Sequence, residues 1–190
     1  MIPDKLIRED LYRYEGRWSW THFLRYFLFT PGFRYTCIWR WTRSACWITK
    51  PFWILLLRHY QVKYAIQIPY QTDIGRGLRI NHWGAIVVNP HAKIGHNFNI
   101  AQGALIGISP PNKRNGNVWG YPTIGNNVVV GANAIVVGNI NIGHNCVIAP
   151  GAFVNLDMPD NTIAIGNPAT FHYKESASNI LIPSCKIQID

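Results

Sequence analysis

A branched aliphatic residue recurs at every sixth position from Ile74 onward. The series runs Ile74, Ile80 and Ile86, resumes after a step of eight as Ile94, Ile100 and Ile106, and after a step of eighteen as Ile124, Val130, Val136, Ile142, Ile148 and Val154. Glycine directly follows many members (Gly75, Gly95, Gly107, Gly125, Gly131, Gly143), and asparagine fills neighbouring positions such as Asn97, Asn126, Asn127, Asn133 and Asn145. Six is the period of neither an α-helix nor a simple strand alternation. It predicts a short strand plus a turn, with each Ile or Val aimed at the axis of a coil and Gly or Asn at corners that need left-handed backbone. One rung cannot bury its apolar edge alone, so rungs must stack. The expected fold is an all-β parallel β-helix of the hexapeptide type, with three hexads per turn forming a triangular prism.

The interruptions divide the chain. Between Ile106 and Ile124, residues 107–123 carry prolines, glycines and asparagines that cannot extend a rung, and the phase is kept on re-entry. This segment is expected to be a loop inserted into the prism, and long loops on rigid scaffolds more often serve function than architecture. Residues 1–65 lack the period of six. They predict short helices over Asp4 to Tyr14, Trp20 to Phe29, and Arg34 to Lys63 with an interruption at Pro51. The expected organisation is a helical segment over 1–65, a β-helix over 66–170, and a tail over 171–190.

Charge separates the same regions. Residues 1–65 hold eleven basic and four acidic side chains and six of the eight tryptophans; residues 66–190 hold seven basic and five acidic. Two readings of the N-terminal segment stand side by side. Interleaved Arg and Trp, as in Trp39-Arg40-Trp41, suit an in-plane helix at an anionic lipid surface. The same aromatics also suit a cap over the open end of the prism, packed between subunits. Its charge-free runs (Tyr26 to Phe33, Ser44 to Thr49, Pro51 to Leu57) are far shorter than the ~18–20 residues of a membrane span. Asp4, Glu9 and Asp10 stand where a secretory signal needs a basic and then an apolar region. The expected location is cytoplasmic, or peripheral at the inner face of the cytoplasmic membrane. Nucleic acid is not an expected partner, because no recognition motif accompanies the charge. Cys37, Cys46, Cys146 and Cys185 show no C-x-x-C pair and are expected to be reduced thiols.

Three stretches resemble a known group. Ile74-Gly-Arg-Gly-Leu-Arg-Ile-Asn-His82-Trp-Gly-Ala-Ile-Val-Val88 resembles the active-site coil of the serine acetyltransferases, and Ile124 through Ala134 and Ala164-Ile-Gly-Asn-Pro-Ala169 look like the same family. The short, aromatic, basic N-terminal segment is closer to the exopolysaccharide branch, typified by colanic acid biosynthesis acetyltransferases. The resemblance implies a left-handed β-helix, a homotrimer, and acetyl-CoA in a groove between neighbouring prisms. It also shows departures: Asn81 stands where the family has an aspartate before its catalytic histidine, Gln67 where it has a His-orienting aspartate, and Tyr121 where it has a serine-binding histidine. These substitutions remove groups that would hold a small zwitterion. A neutral polyhydroxyl acceptor such as a sugar suits Asn, Gln, Tyr and Trp better than free serine does.

Acetyl transfer from a thioester to an alcohol needs a base for the hydroxyl proton, and an imidazole is matched to that task near neutral pH. His82 is the expected general base, with Asn81, Trp83, Gln67 and Tyr121 around the acceptor. Gln67, Asp73 or a backbone carbonyl is left to orient its ring. Gly107, Ala132, Gly151 and Gly166 are candidate contacts for the pantetheine arm, and Lys113, Arg114 and Lys174 for the CoA phosphates. His91, His96 and His144 read as corner residues. A β-helix with histidines raises the γ-class carbonic anhydrases as a rival. That resemblance requires a second histidine where Ala101 and Ala149 stand, while His91 and His96 are out of phase, so no metal is expected. The leading expectation is an acetyl-CoA-dependent O-acetyltransferase acting on a sugar hydroxyl in surface polysaccharide synthesis. Serine O-acetylation and a non-catalytic assembly or membrane-docking module are the alternatives.

Overall fold

Residues 66–110 and 119–173 wind into three parallel sheets, one on each face of a prism, in a computed structural model that describes residues 5–110 and 119–173. Face A stacks β1 (Ile66–Gln67), β4 (Ile86–Val88), β7 (Leu105–Gly107), β10 (Ile135–Val137) and β13 (Phe153–Val154). Face B stacks β2 (Asp73–Ile74), β5 (Lys93–Ile94), β8 (Thr123–Ile124) and β11 (Asn141–Ile142). Face C stacks β3 (Arg79–Ile80), β6 (Asn99–Ile100), β9 (Val129–Val130), β12 (Val147–Ile148) and β14 (Thr162–Ile165), and ends on β15 (Thr170–Tyr173), which runs antiparallel. This is the left-handed parallel β-helix that the resemblance implies.

The period of six maps onto the interior. Ile74, Ile94, Ile124 and Ile142 stack on face B, and Ile80, Ile100, Val130 and Ile148 on face C, all buried. Face A corrects one position. Val88, not Ile86, stacks on Ile106, Val136 and Val154, while Ile86 pairs with Ile66 and lies over a second buried column of Ala104, Ala134 and Ala152. The extra two residues therefore sit between Ile80 and Val88 and not between Ile86 and Ile94. The chain steps from Ile80 to Val88 through a five-residue corner, 81–85, where lower coils use three residues.

At the corner between faces B and C, Asn97, Asn127, Asn145 and Asn161 all take left-handed φ of 56–59°. Their amides form a continuous ladder: Asn97 Nδ2 donates to Asn127 Oδ1 at 2.9 Å, Asn127 to Asn145 at 2.9 Å, and Asn145 to Asn161 at 3.1 Å. Asparagine accepts this backbone where most residues do not. Asn127→Ala should destabilise the fold by about 1–3 kcal/mol, since it strains φ and leaves neighbouring amides unpaired. Asn127→Gly, which relieves φ alone, should recover part of that loss in urea unfolding. Equal losses for both would mean that the ladder carries the whole effect.

Four helices precede the prism: α1 (Lys5–Glu15), α2 (Trp20–Phe29), α3 (Pro31–Ser44) and α4 (Lys50–Tyr64). The expected break at Pro51 falls earlier, at residues 45–49. Pro51 instead sits in the first turn of α4, where a missing N–H costs nothing.

The helices solve an edge problem. β1, β2 and β3 open the three sheets and would otherwise leave peptide groups unpaired. Tyr35 Oη donates to Ile68 O at 2.9 Å and accepts from Ile68 N, and Tyr14 does the same for Ile80, with burial holding its phenol protonated and its pKa raised. Arg40 donates to Ile74 O and Gly75 O, Trp39 Nε1 to Pro69 O, and Arg43 to Tyr70 O and Thr72 O. Buried Asp10 grips Arg40 through two bonds of 2.8 and 3.1 Å and accepts from Leu78 N at 2.8 Å. Capping of the open end is thus what Trp39, Tyr35 and Tyr14 do. Among the described residues, no helix is long and apolar enough to cross a membrane, and no disulfide joins Cys37, Cys46 and Cys146.

Candidate active site

The five-residue corner that carries His82 stands above three shorter ones, each joining face C to face A. Gly103 N donates to Gly84 O at 2.8 Å, Asn133 N to Gln102 O at 2.9 Å, and Gly151 N to Ala132 O at 2.8 Å, so the corners register as a column. Gly84 and Ala85 turn the longer corner with φ of 116° and 51°. The two added residues throw the side chains of His82 and Trp83 into solvent, while Asn81 stays half-buried.

Beside this column, on face C, lies a groove of about 350 Å³ lined by Asn81, His82, Asn99, Gln102, Ala132 and Pro150 among others. Its floor is made of small groups. A Cβ on Gly131 would lie 2.6 Å from Pro150 N, so the wall there cannot be thicker without displacing the next corner. Among the described residues, His82 is the only titratable side chain in the lining; no carboxylate, lysine or arginine joins it. Three amides accompany it. Asn99 is buried, and the side-chain oxygens of Asn99 and Gln102 have no hydrogen-bond partner among the described residues. A buried amide without a partner costs about 1–3 kcal/mol, so both carry unused capacity for a polar ligand.

The structure brings some expected residues together and separates others. Ala132, Gly151 and Gly166 belong to or follow the corner column below His82. Gly107 and Tyr121 lie at the corner between faces A and B, where the Tyr121 ring packs against His91 at 4.9 Å between centroids, tilted by 40°. The inserted loop leaves and re-enters there, closed at its base by a bridge between Ser109 and Gly120. Gln67 is exposed on face A. Asp73 is on face B, 3.8 Å from Arg43. No described residue hydrogen-bonds the His82 ring. Lys113, Arg114 and Lys174 fall outside the described residues.

His96 and His144 are corner residues. Each ring accepts through Nδ1 from the backbone of the coil above, at Arg76 N (3.3 Å) and Asn126 N (2.9 Å). Among the described residues no group of three His, Cys, Asp or Glu could hold a metal ion. Sequence reasoning missed Asn99, Gln102, Gly131 and Pro150. Stacking the hexads coil by coil, instead of reading them in a line, would have placed all four under Asn81 and His82.

Residues 121–155 match the bacterial transferase hexapeptide family, a model of six repeats. The match lies in the lower coils of the prism. Over 108 residues it is 38% identical to a probable serine acetyltransferase 1 of Oryza sativa subsp. japonica, covering 56% of this chain and 34% of that protein. Over 106 residues it is 38% identical to the putative colanic acid biosynthesis acetyltransferase WcaB of Escherichia coli strain K12, covering 56% of this chain and 62% of that one. Serine acetyltransferase from Brucella abortus strain S19, in complex with coenzyme A, superposes with a TM-score of 0.73 and 25% identity over 91% of this chain and 68% of its own. The chain therefore spans about a third of the length of the plant relative and under two-thirds of the bacterial one.

Proposed function

We propose that this protein is an acetyl-CoA-dependent O-acetyltransferase whose acceptor is a neutral carbohydrate hydroxyl, with His82 as the general base. The observation that carries the acceptor class is the lining of the groove: among the described residues it offers one imidazole and three amides, and no charged side chain to meet an amino acid's ammonium or carboxylate. Amides pair readily with hydroxyl donors and acceptors, and a site built to hydrogen-bond hydroxyls discriminates strongly. Similarity to acetyltransferases, one of them in complex with coenzyme A, supports acetyl-CoA as donor. The small-residue floor at Ala101, Gly131 and Ala132 suits a thin pantetheine arm lying against backbone.

In this reading the His82 imidazole accepts the acceptor's hydroxyl proton as the oxygen attacks the thioester carbonyl, and returns it to the departing thiolate. Charge developing on the carbonyl oxygen is met by hydrogen-bond donors on the corner wall. The separation of His82 from Tyr121 on different corners supports a homotrimer. A pocket containing both needs the wall of one prism to face the loop corner of another.

Serine O-acetylation is the second reading, favoured by the similarity to serine acetyltransferases and opposed by the uncharged groove. Purified protein should release thiol from acetyl-CoA with oligosaccharide or nucleotide-sugar acceptors and use free serine at least about a hundredfold less efficiently. Serine turnover equal to or above that of every sugar would overturn the acceptor assignment. Asn99→Leu should raise the acceptor KM about tenfold, the loss of one buried hydrogen bond, with the KM for acetyl-CoA unchanged. An unchanged acceptor KM would remove Asn99 from the acceptor site.

A further inference from the structure

The helical cap buries one side of its aromatics and leaves another side bare. On α2, Trp20, Leu24 and Leu28 recur at intervals of four and are each more than half exposed. On α4 and the turn before it, Trp47, Ile48, Phe52, Leu55 and Val62 are exposed, Trp47 to 84%. These two rows flank α3 and are tied to it through a chain of rings, Phe27 to Trp41 at 5.8 Å and Trp41 to Trp53 at 5.5 Å. Cations are interleaved with the apolar groups: Arg25 follows Leu24, Arg58 lies between Leu55 and Val62 on one helix face, and Lys63 follows Val62, all three exposed.

Residues 16–72 contain eight lysines and arginines and not one aspartate or glutamate. Among the described residues the carboxylates of α1 form no ion pair with the cations of α4, although Glu15 acts through space on Arg25. Asp10 is buried on Arg40, Glu9 is 3.5 Å from Arg76, and Glu15 accepts from Tyr26.

We propose that the exposed face of α2 and α4 is a docking surface for an anionic lipid bilayer, with the helices lying in the plane of the interface. Large apolar side chains beside tryptophan and unpaired cations are what such an interface takes up. Charge selects this occupant over a second copy of the chain, because the same face brought against itself would oppose the cations of α4, a helix with no carboxylate of its own. The proposal is independent of the acetyl-transfer reading, since it uses none of the groove residues.

Sedimentation of the full-length protein with large unilamellar vesicles tests it. Binding is expected to vesicles of phosphatidylcholine with about a third phosphatidylglycerol and to weaken as salt is raised. Neutralising Arg25 and Arg58 together to Gln should lower partition about thirtyfold, roughly fivefold for each cation. Phe52→Ser with Leu55→Ser should abolish binding even at low salt, while the far-ultraviolet circular dichroism and melting temperature stay as in the parent, because both side chains are exposed. No binding to anionic vesicles, or binding that both pairs of substitutions leave intact, would overturn the proposal. So would a doubling of the solution mass that Phe52→Ser with Leu55→Ser reverses in the absence of lipid, which would assign the face to a second copy.

Discussion

His82→Ala should lower acetyl transfer by about 10²–10⁴-fold, the range expected for loss of a positioned general base. The loss should fall on kcat, with the KM for acetyl-CoA within about threefold of the parent, because the imidazole acts on the acceptor proton and not on the donor's binding. Stability should not change: the side chain is exposed and no described residue bonds to its ring. Thiol release measured beside a thermal melt separates the two quantities. Activity within about threefold of the parent, on an acceptor the parent uses, would exclude His82 as the base. Unaltered cellular function would support the non-catalytic reading of the prism.

Arg40→Ala should destabilise the protein by about 3–5 kcal/mol, the range for removing one partner of a buried ion pair. The substitution leaves the Asp10 carboxylate buried without its guanidinium partner, and it strips the donors from Ile74 O and Gly75 O at the edge of face B. For a chain of this length the melting temperature should fall by roughly 10 °C. Arg40→Lys keeps the charge but not the fork that reaches two carbonyls and both carboxylate oxygens, so it should recover only part of the loss. A loss below about 1 kcal/mol for Arg40→Ala would show that the helices and the prism do not depend on this joint.

The interior of the prism was legible because its repeat is rigid: every coil must return an aliphatic side chain to the same axis, and Ile and Val mark those returns. Two things escaped a linear reading. Ile86 and Val88 are both apolar and both buried, and only strand pairing tells which of them carries the register. Spacing alone therefore displaced the two extra residues by one hexad, away from the corner to which they belong. The break between α3 and α4 escaped for a different reason. Proline reads as an interruption, but at the start of a helix it is compatible with the chain's direction, and residues 45–49 make the turn.

The site was half legible. His82 and Asn81 stand out through the residues around them. Asn99 and Gln102 do not, because an asparagine or glutamine in a hexad is ordinary until the coil above it is known. Their meaning comes from residues about twenty positions away in the chain. Tyr121 is the converse case, a residue aligned with a substrate-binding position that one chain alone holds at another corner. Of the aromatics in the N-terminal segment, Trp39, Tyr35 and Tyr14 close the prism, and Trp20, Trp47 and Phe52 face outward.

A scaffold of near-identical rungs has little means of marking one of them as special by composition, since every inward position is under the same demand. Length offers another means. Lengthening a single bend by two residues pushes one imidazole past the wall and leaves each column beneath it undisturbed. Such a change adds reach to one level of the stack without disturbing the interior.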